Sequence, residues 1–208
     1  MVVRRAVAVF GLWLTCFLGP VCVLDVSPAE AQQAERTYKG WELRSGFLAH
    51  DYGLTTNSIP DGEGDFSIHG QLLFPSPGLF RYLGAPRPHL GTNIAVDGTS
   101  QLFAGLTWDV RFARETPVLK NLFLILDGGA AVHNGENLSR PTNPVDDDFG
   151  EARRFLGCRA QFRFGTGLGY DINERVSAQI YTDHISTLGL CDPDDGLENI
   201  GMRLGYKF

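Results

Sequence analysis

The chain ends on an alternation that few folds accommodate. Ile200, Met202, Leu204, Tyr206 and Phe208 stand at every second position, with Gly201, Arg203, Gly205 and Lys207 between them. Successive side chains of a β-strand point to opposite faces, so this segment presents one continuous apolar face and one charged face. Alternating stretches recur upstream at Trp41 to His50, Asp65 to Phe74, His89 to Val96, Gln101 to Phe112, Asn121 to His133, Gly157 to Tyr170 and Arg175 to Thr187, and Glu198 to Phe208 closes the series. Beyond the N-terminal segment, no stretch carries helical spacing over three turns. The pattern predicts an all-β chain of eight strands, most with the roughly 9–11 residues that a tilted strand needs to cross a bilayer.

Two environments suit such strands: a soluble sandwich or lipocalin-like barrel with the apolar faces inside, or a membrane barrel with those faces outside. Three features favour the second. Arg4 and Arg5 precede an apolar run from Ala6 to Leu24, and Ala29-Glu30-Ala31 follows, the pattern of an export signal cleaved before Gln32. The strand count is even, and the final residue is aromatic. Mean hydropathy of -0.08 is too low for a bundle of membrane helices and ordinary for a membrane β-barrel, whose strands alternate. Residues 1–31 therefore read as a signal peptide, and residues 32–208 as an eight-stranded antiparallel transmembrane β-barrel of the bacterial outer membrane. With both termini periplasmic, the links 51 to 64, 134 to 154 and 188 to 197 face outward. Asp171-Ile172-Asn173-Glu174 is a tight turn on the other side, and the longer link Pro75 to Pro88 has room for a helical turn around Leu79 to Tyr82.

Removing the signal leaves the net charge at -6, which argues against nucleic acid as a partner because phosphate contacts need a basic surface. Cys16 and Cys22 leave with the signal. Cys158 and Cys191 remain, either paired in an oxidising compartment or as two separate thiols. His50, His69, His89 and His133 lack metal-ligand spacing, and Asp192, Asp194, Asp195 and Gly196 miss a calcium-loop pattern, so no metal and no cofactor is expected. Gly165-Thr166-Gly167-Leu168-Gly169 lies within a strand and leads to a turn, so it reads as small residues packing a barrel wall and not as a nucleotide loop.

The residues that suggest chemistry lie at the end of the seventh strand. His184 and Ser186 share the apolar face with Ala178, Ile180 and Thr182. A hairpin placing Ser186 opposite Glu198 would set His184 against Ile200, Thr182 against Met202 and Ile180 against Leu204, gathering a hydroxyl, an imidazole and a carboxylate at the outer rim. A serine is a weak nucleophile until a base takes its proton, histidine can do so near neutral pH, and a carboxylate orients and stabilises the imidazolium. The bland alternative is a set of polar residues at the bilayer boundary.

Asp183-His184-Ile185-Ser186-Thr187, then Glu198-Asn199-Ile200-Gly201, and finally Leu204-Gly205-Tyr206-Lys207-Phe208 resemble the lipid A 3-O-deacylase family of PagL type. The resemblance implies an eight-stranded outer-membrane barrel that removes the ester-linked hydroxyacyl chain at position 3 of lipid A without a metal. It assigns Ser186 as nucleophile, His184 as base and Glu198 as orienting acid, with lipopolysaccharide as substrate and the site toward the outer leaflet. The family commonly places asparagines after the serine and in the next loop to donate to the oxyanion. Here Thr187 and Asp194 stand there. Thr187 retains a donor, and a backbone amide around Leu188-Gly189 or the Asn199 side chain is a further candidate, whereas an ionised Asp194 only accepts. The competing function is a non-catalytic barrel for adhesion or ligand binding through its outer loops. Oligomeric state leaves no mark in the sequence.

Overall fold

A computed structural model describes residues 40–52, 66–111, 119–135, 156–192, 194 and 196–208. The signal segment, Asp146-Asp147-Asp148 and most of the link 51 to 64 lie outside the described residues. Those described form eight strands: β1 (Glu42–His50), β2 (Phe66–Leu73), β3 (Arg87–Ala95), β4 (Gln101–Arg111), β5 (Leu122–His133), β6 (Ala160–Asp171), β7 (Val176–Ser186) and β8 (Leu197–Lys207). Each pairs antiparallel with the next, and β8 returns to β1 through pairs from Glu42 with Lys207 to His50 with Asn199, so the sheet closes as a barrel with no free edge. A short 3-10 turn, Gly78–Leu83, occupies the link between β2 and β3.

The barrel is apolar outside and polar inside. Along β8, Met202 and Leu204 are 67% and 60% exposed, while Arg203 between them is 2% exposed. The same alternation runs round the wall, with Phe47, Ile68, Ile94, Leu102, Phe164 and Ile180 outward and Arg44, His69, Asn93, Gln101, Arg163 and Gln179 inward. An apolar belt of this extent has no place on a protein surrounded by water, and it matches the hydrocarbon-facing band of a membrane barrel. The soluble lipocalin-like alternative fails here, because its apolar faces would line the interior.

The interior charges persist because each is paired. Arg163 donates to the Tyr181 hydroxyl and to Asp183 Oδ2, both at 3.0 Å, and its guanidinium lies 3.6 Å from the Phe103 ring centroid. Tyr181 in turn donates to Asp127 at 2.6 Å. Arg203 donates to Gln179 and Gln71 and stacks over Tyr181. Toward the end of the barrel that carries both described termini, Arg44 bridges Glu42 and Asp109. Losing one member of such a pair strands a charge at low dielectric, so the network fixes which way each strand faces. The glycines of β6 serve this filling: a Cβ on Gly165 would run into the Tyr181 ring and one on Gly169 into the Phe123 ring, while one on Gly167 would meet the Ile180 carbonyl of β7. The Gly165 to Gly169 run is thus barrel wall that makes room for two aromatic rings.

Candidate active site

The strand register decides what meets at the outer rim. β7 and β8 pair with His184 opposite Glu198, Thr182 opposite Ile200, Ile180 opposite Met202 and Ala178 opposite Leu204. The hairpin expected from the sequence, with Ser186 opposite Glu198, is therefore two residues out of register. The physical reason is the loop: β8 begins at Leu197 and β7 ends at Ser186, and the turn leaves Ser186 beyond the last pair. A slip of two keeps every side chain on its face, so the three residues still project together from the outer wall.

The observed register brings the imidazole of His184 directly beside the carboxylate of Glu198. His184 Nδ1 lies 3.2 Å from Glu198 Oε1, with the Glu198 side chain 4% exposed and the His184 side chain 34% exposed. The N–H direction is not aligned as a hydrogen bond, and Nδ1 is buried without one. At this distance the carboxylate would attract the ring as charge for charge only when the imidazole carries a second proton. With Nδ1 against the carboxylate, Nε2 is the nitrogen left for a second partner. Ser186 follows two residues on, about 7 Å along the strand, and is buried. Among the described residues no hydrogen bond joins it to His184, a separation common in resting sites that tighten around substrate.

Neighbouring strands frame the three. On β6, Phe162 pairs with Ser186 and Phe164 with His184, both aromatic rings outward. Gly196, at φ 62, backs onto the imidazole: a Cβ there would come within 3.0 Å of His184 Cε1. The loop between β7 and β8 is tied to the segment before β6 by a disulfide between Cys158 and Cys191, whose Cα atoms are 5.7 Å apart.

The oxyanion candidates stand differently from the sequence reading. Asn199 points into the barrel, where His50 Nδ1 lies 2.8 Å from its Oδ1 and its Nδ2 donates to Asp183 at 2.9 Å. It sits on the opposite face from Glu198 and cannot reach an ester at the outer wall. The Thr187 hydroxyl donates to the Cys191 carbonyl at 3.2 Å and is consumed within the loop. Asp194 accepts from two backbone amides, Thr187 N–H at 2.8 Å and Gly189 N–H at 2.9 Å. Those bonds hold its carboxyl below the usual aspartate range against the opposing effect of partial burial, and the nearby His184 adds to the lowering. Sequence reasoning missed both this clamp and the Gly196 contact. Nothing in the residue order says which amides the Asp194 carboxylate takes.

Residues 120–207, which span β5 to β8, match the family model described as Lipid A 3-O-deacylase (PagL). Over that span the chain is PagL-like. Among solved structures the barrel superposes on the crystal structure of the outer membrane enzyme PagL with a TM-score of 0.52, at 13% identity over 80% of this chain and 99% of that one. Neisserial surface protein A aligns at TM-score 0.47 and 12% identity, covering 81% of this chain and 96% of its own. A de novo designed transmembrane β-barrel aligns at 0.46 and 9%, with the same coverages. Among curated proteins none matches the sequence. The superposition on PagL shows the fold, an eight-stranded barrel, and the family match covers 88 of the 208 residues, among them His184, Ser186 and Glu198.

Proposed function

We propose that this chain is a lipid A 3-O-deacylase of the bacterial outer membrane, a serine esterase that releases the hydroxyacyl chain ester-linked at position 3. The observation that carries the reading is the pairing of His184 with Glu198 on the lipid-facing wall, with Ser186 beside them, inside the span that matches the family. Polar groups facing hydrocarbon are costly, and a carboxylate buried there needs its imidazole partner. A substrate reached from this face must itself lie in the outer leaflet, as lipid A does.

The contact of His184 with Glu198 supports the following assignment of roles. His184 Nε2 takes the proton from Ser186 as Oγ forms a bond to the ester carbonyl carbon, and the carbonyl electron pair moves to oxygen. Glu198, at Nδ1, stabilises the imidazolium that results. Collapse breaks the bond from carbon to the sugar oxygen, and the imidazolium returns its proton to that oxygen as the alcohol leaves. Water, activated by the same imidazole, then attacks the acyl-serine, releasing the hydroxy fatty acid and restoring Ser186. No step calls on a metal or other cofactor.

A non-catalytic barrel is the second reading, and the Asp194 carboxylate sitting on the Thr187 amide favours it. Mass spectrometry of lipid A incubated with detergent-purified protein, beside Ser186→Ala, separates the two. Loss of one hydroxyacyl mass with the native protein alone supports the esterase. Equal lipid A from both, with both barrels folded, refutes it.

A further inference from the structure

The Thr187 and Gly189 amides grip one carboxylate, each by a different oxygen. Both donate to the same carboxylate, at 2.8 Å to Asp194 Oδ1 and 2.9 Å to Oδ2. Leu188 and Gly189 are left-handed, with φ of 53 and 79, and it is this turn that swings successive N–H groups to a common side. Backbone concavities of this kind bind anions. The first amide belongs to the residue directly after Ser186. In acyl transfer, the amide following the nucleophile commonly receives the carbonyl oxygen as it gains charge. Asp194 is exposed, and the loop that holds it also brings Gly196 against the His184 ring, where a Cβ would lie 3.0 Å from His184 Cε1.

We propose that the Thr187 and Gly189 amides are the oxyanion donors of this site and that Asp194 occupies them in the resting protein, so that an ester binds productively only after displacing the carboxylate. The proposal rests on the esterase reading above. It differs from a purely structural role for Asp194 in the sign of its consequence. A carboxylate that merely braced the loop would help catalysis, and its removal would lower turnover. A carboxylate that masks the donors suppresses catalysis, and its removal raises turnover. Loss of a single oxyanion donor lowers turnover by about 10²–10³. Unmasking two in part of the population therefore leads to a gain of about tenfold or more.

The test compares native protein with Asp194→Ala and Asp194→Asn in detergent micelles, following lipid A deacylation and the rate at which a fluorophosphonate labels Ser186. Faster turnover and labelling in Asp194→Ala, with a smaller gain in the isosteric Asp194→Asn, are expected. Unchanged or lower rates in both variants overturn the proposal. A second measurement does not depend on activity: acetate titrated into Asp194→Ala while the Thr187 and Gly189 amide resonances are followed. Saturable shifts at both amides, absent from the native protein, support an anion site that Asp194 fills. Their absence overturns it. Acetate binding in a barrel that neither cleaves lipid A nor labels at Ser186 keeps the masked amides and removes the esterase reading, so the two failures are distinguishable.

Discussion

Replacing Glu198 by glutamine removes one charge and little volume from the contact on which the proposed mechanism depends. Glu198 Oε1 lies 3.2 Å from His184 Nδ1, and its side chain is 4% exposed. For an imidazolium at that distance, an effective dielectric near 20 gives roughly 5 kcal/mol of attraction. His184 is about one-third exposed, so screening reduces this to about 3 kcal/mol. In the proposed mechanism the carboxylate acts on the imidazolium that forms as the serine proton is taken, so the loss falls on kcat and not on KM. Three kcal/mol corresponds to roughly a 10²-fold fall in kcat. Glu198→Asp keeps the charge but withdraws it by one methylene, and an intermediate value follows. The assay is steady-state release of hydroxy fatty acid from lipid A in mixed micelles, with heat-modifiable gel migration confirming that each barrel is folded. A kcat for Glu198→Gln within about threefold of native would show that the carboxylate does not serve His184 in the reaction.

Other changes test the membrane setting, the staple and the loop. Met202 is 67% exposed midway along β8, so Met202→Arg should destabilise the barrel in bilayers by about 2–4 kcal/mol in urea unfolding, and no change would remove it from the hydrocarbon face. Cys158→Ser opens a disulfide spanning a sequence separation of 33, which in the chain-entropy account costs about 3–4 kcal/mol in the same assay. Native-like stability would show that the loops are held by other contacts. Gly196→Ala puts a Cβ at 3.0 Å from His184 Cε1 in a backbone region with φ 62, so kcat should fall about tenfold as the ring is pushed aside; unaltered kcat would detach the loop from the base.

The strands were legible because the barrel imposes a period of two on every one of them. Each alternating stretch corresponds to an observed strand with ends shifted by at most three residues, as at Gly157, where pairing begins at Ala160. What the alternation does not encode is register. Sliding β8 past β7 by two residues leaves every side chain on its face, so the pairing of Ser186 with Glu198 and that of His184 with Glu198 looked alike in the sequence. The inward direction of Asn199 was legible in principle, since it stands one residue from the outward Glu198. The fate of Asp194 was not. Its hydrogen bonds depend on the left-handed turn at Leu188 and Gly189, and leucine gives no local signal for such a backbone.

The division between wall and loop also separates two kinds of control. His184 and Glu198 are directly paired residues of neighbouring strands, held by a closed sheet whose interior Arg163 and Asp183 lock β6 to β7 from behind. Moving the backbone of His184 relative to that of Glu198 would mean breaking ladder bonds, so their strand positions, though not the imidazole rotamer, are fixed as soon as the barrel closes. Thr187, Gly189, Asp194 and Gly196 belong to a turn anchored by hydrogen bonds within itself and by one disulfide. Such a turn can change conformation at far lower cost than a strand. The rigid wall is thus suited to proton transfer, which needs constant geometry, and the loop to deciding when oxyanion donors are presented. On this reading, latency is altered most readily by substitutions between Thr187 and Gly196, while substitutions inside the barrel change stability first and activity only through it.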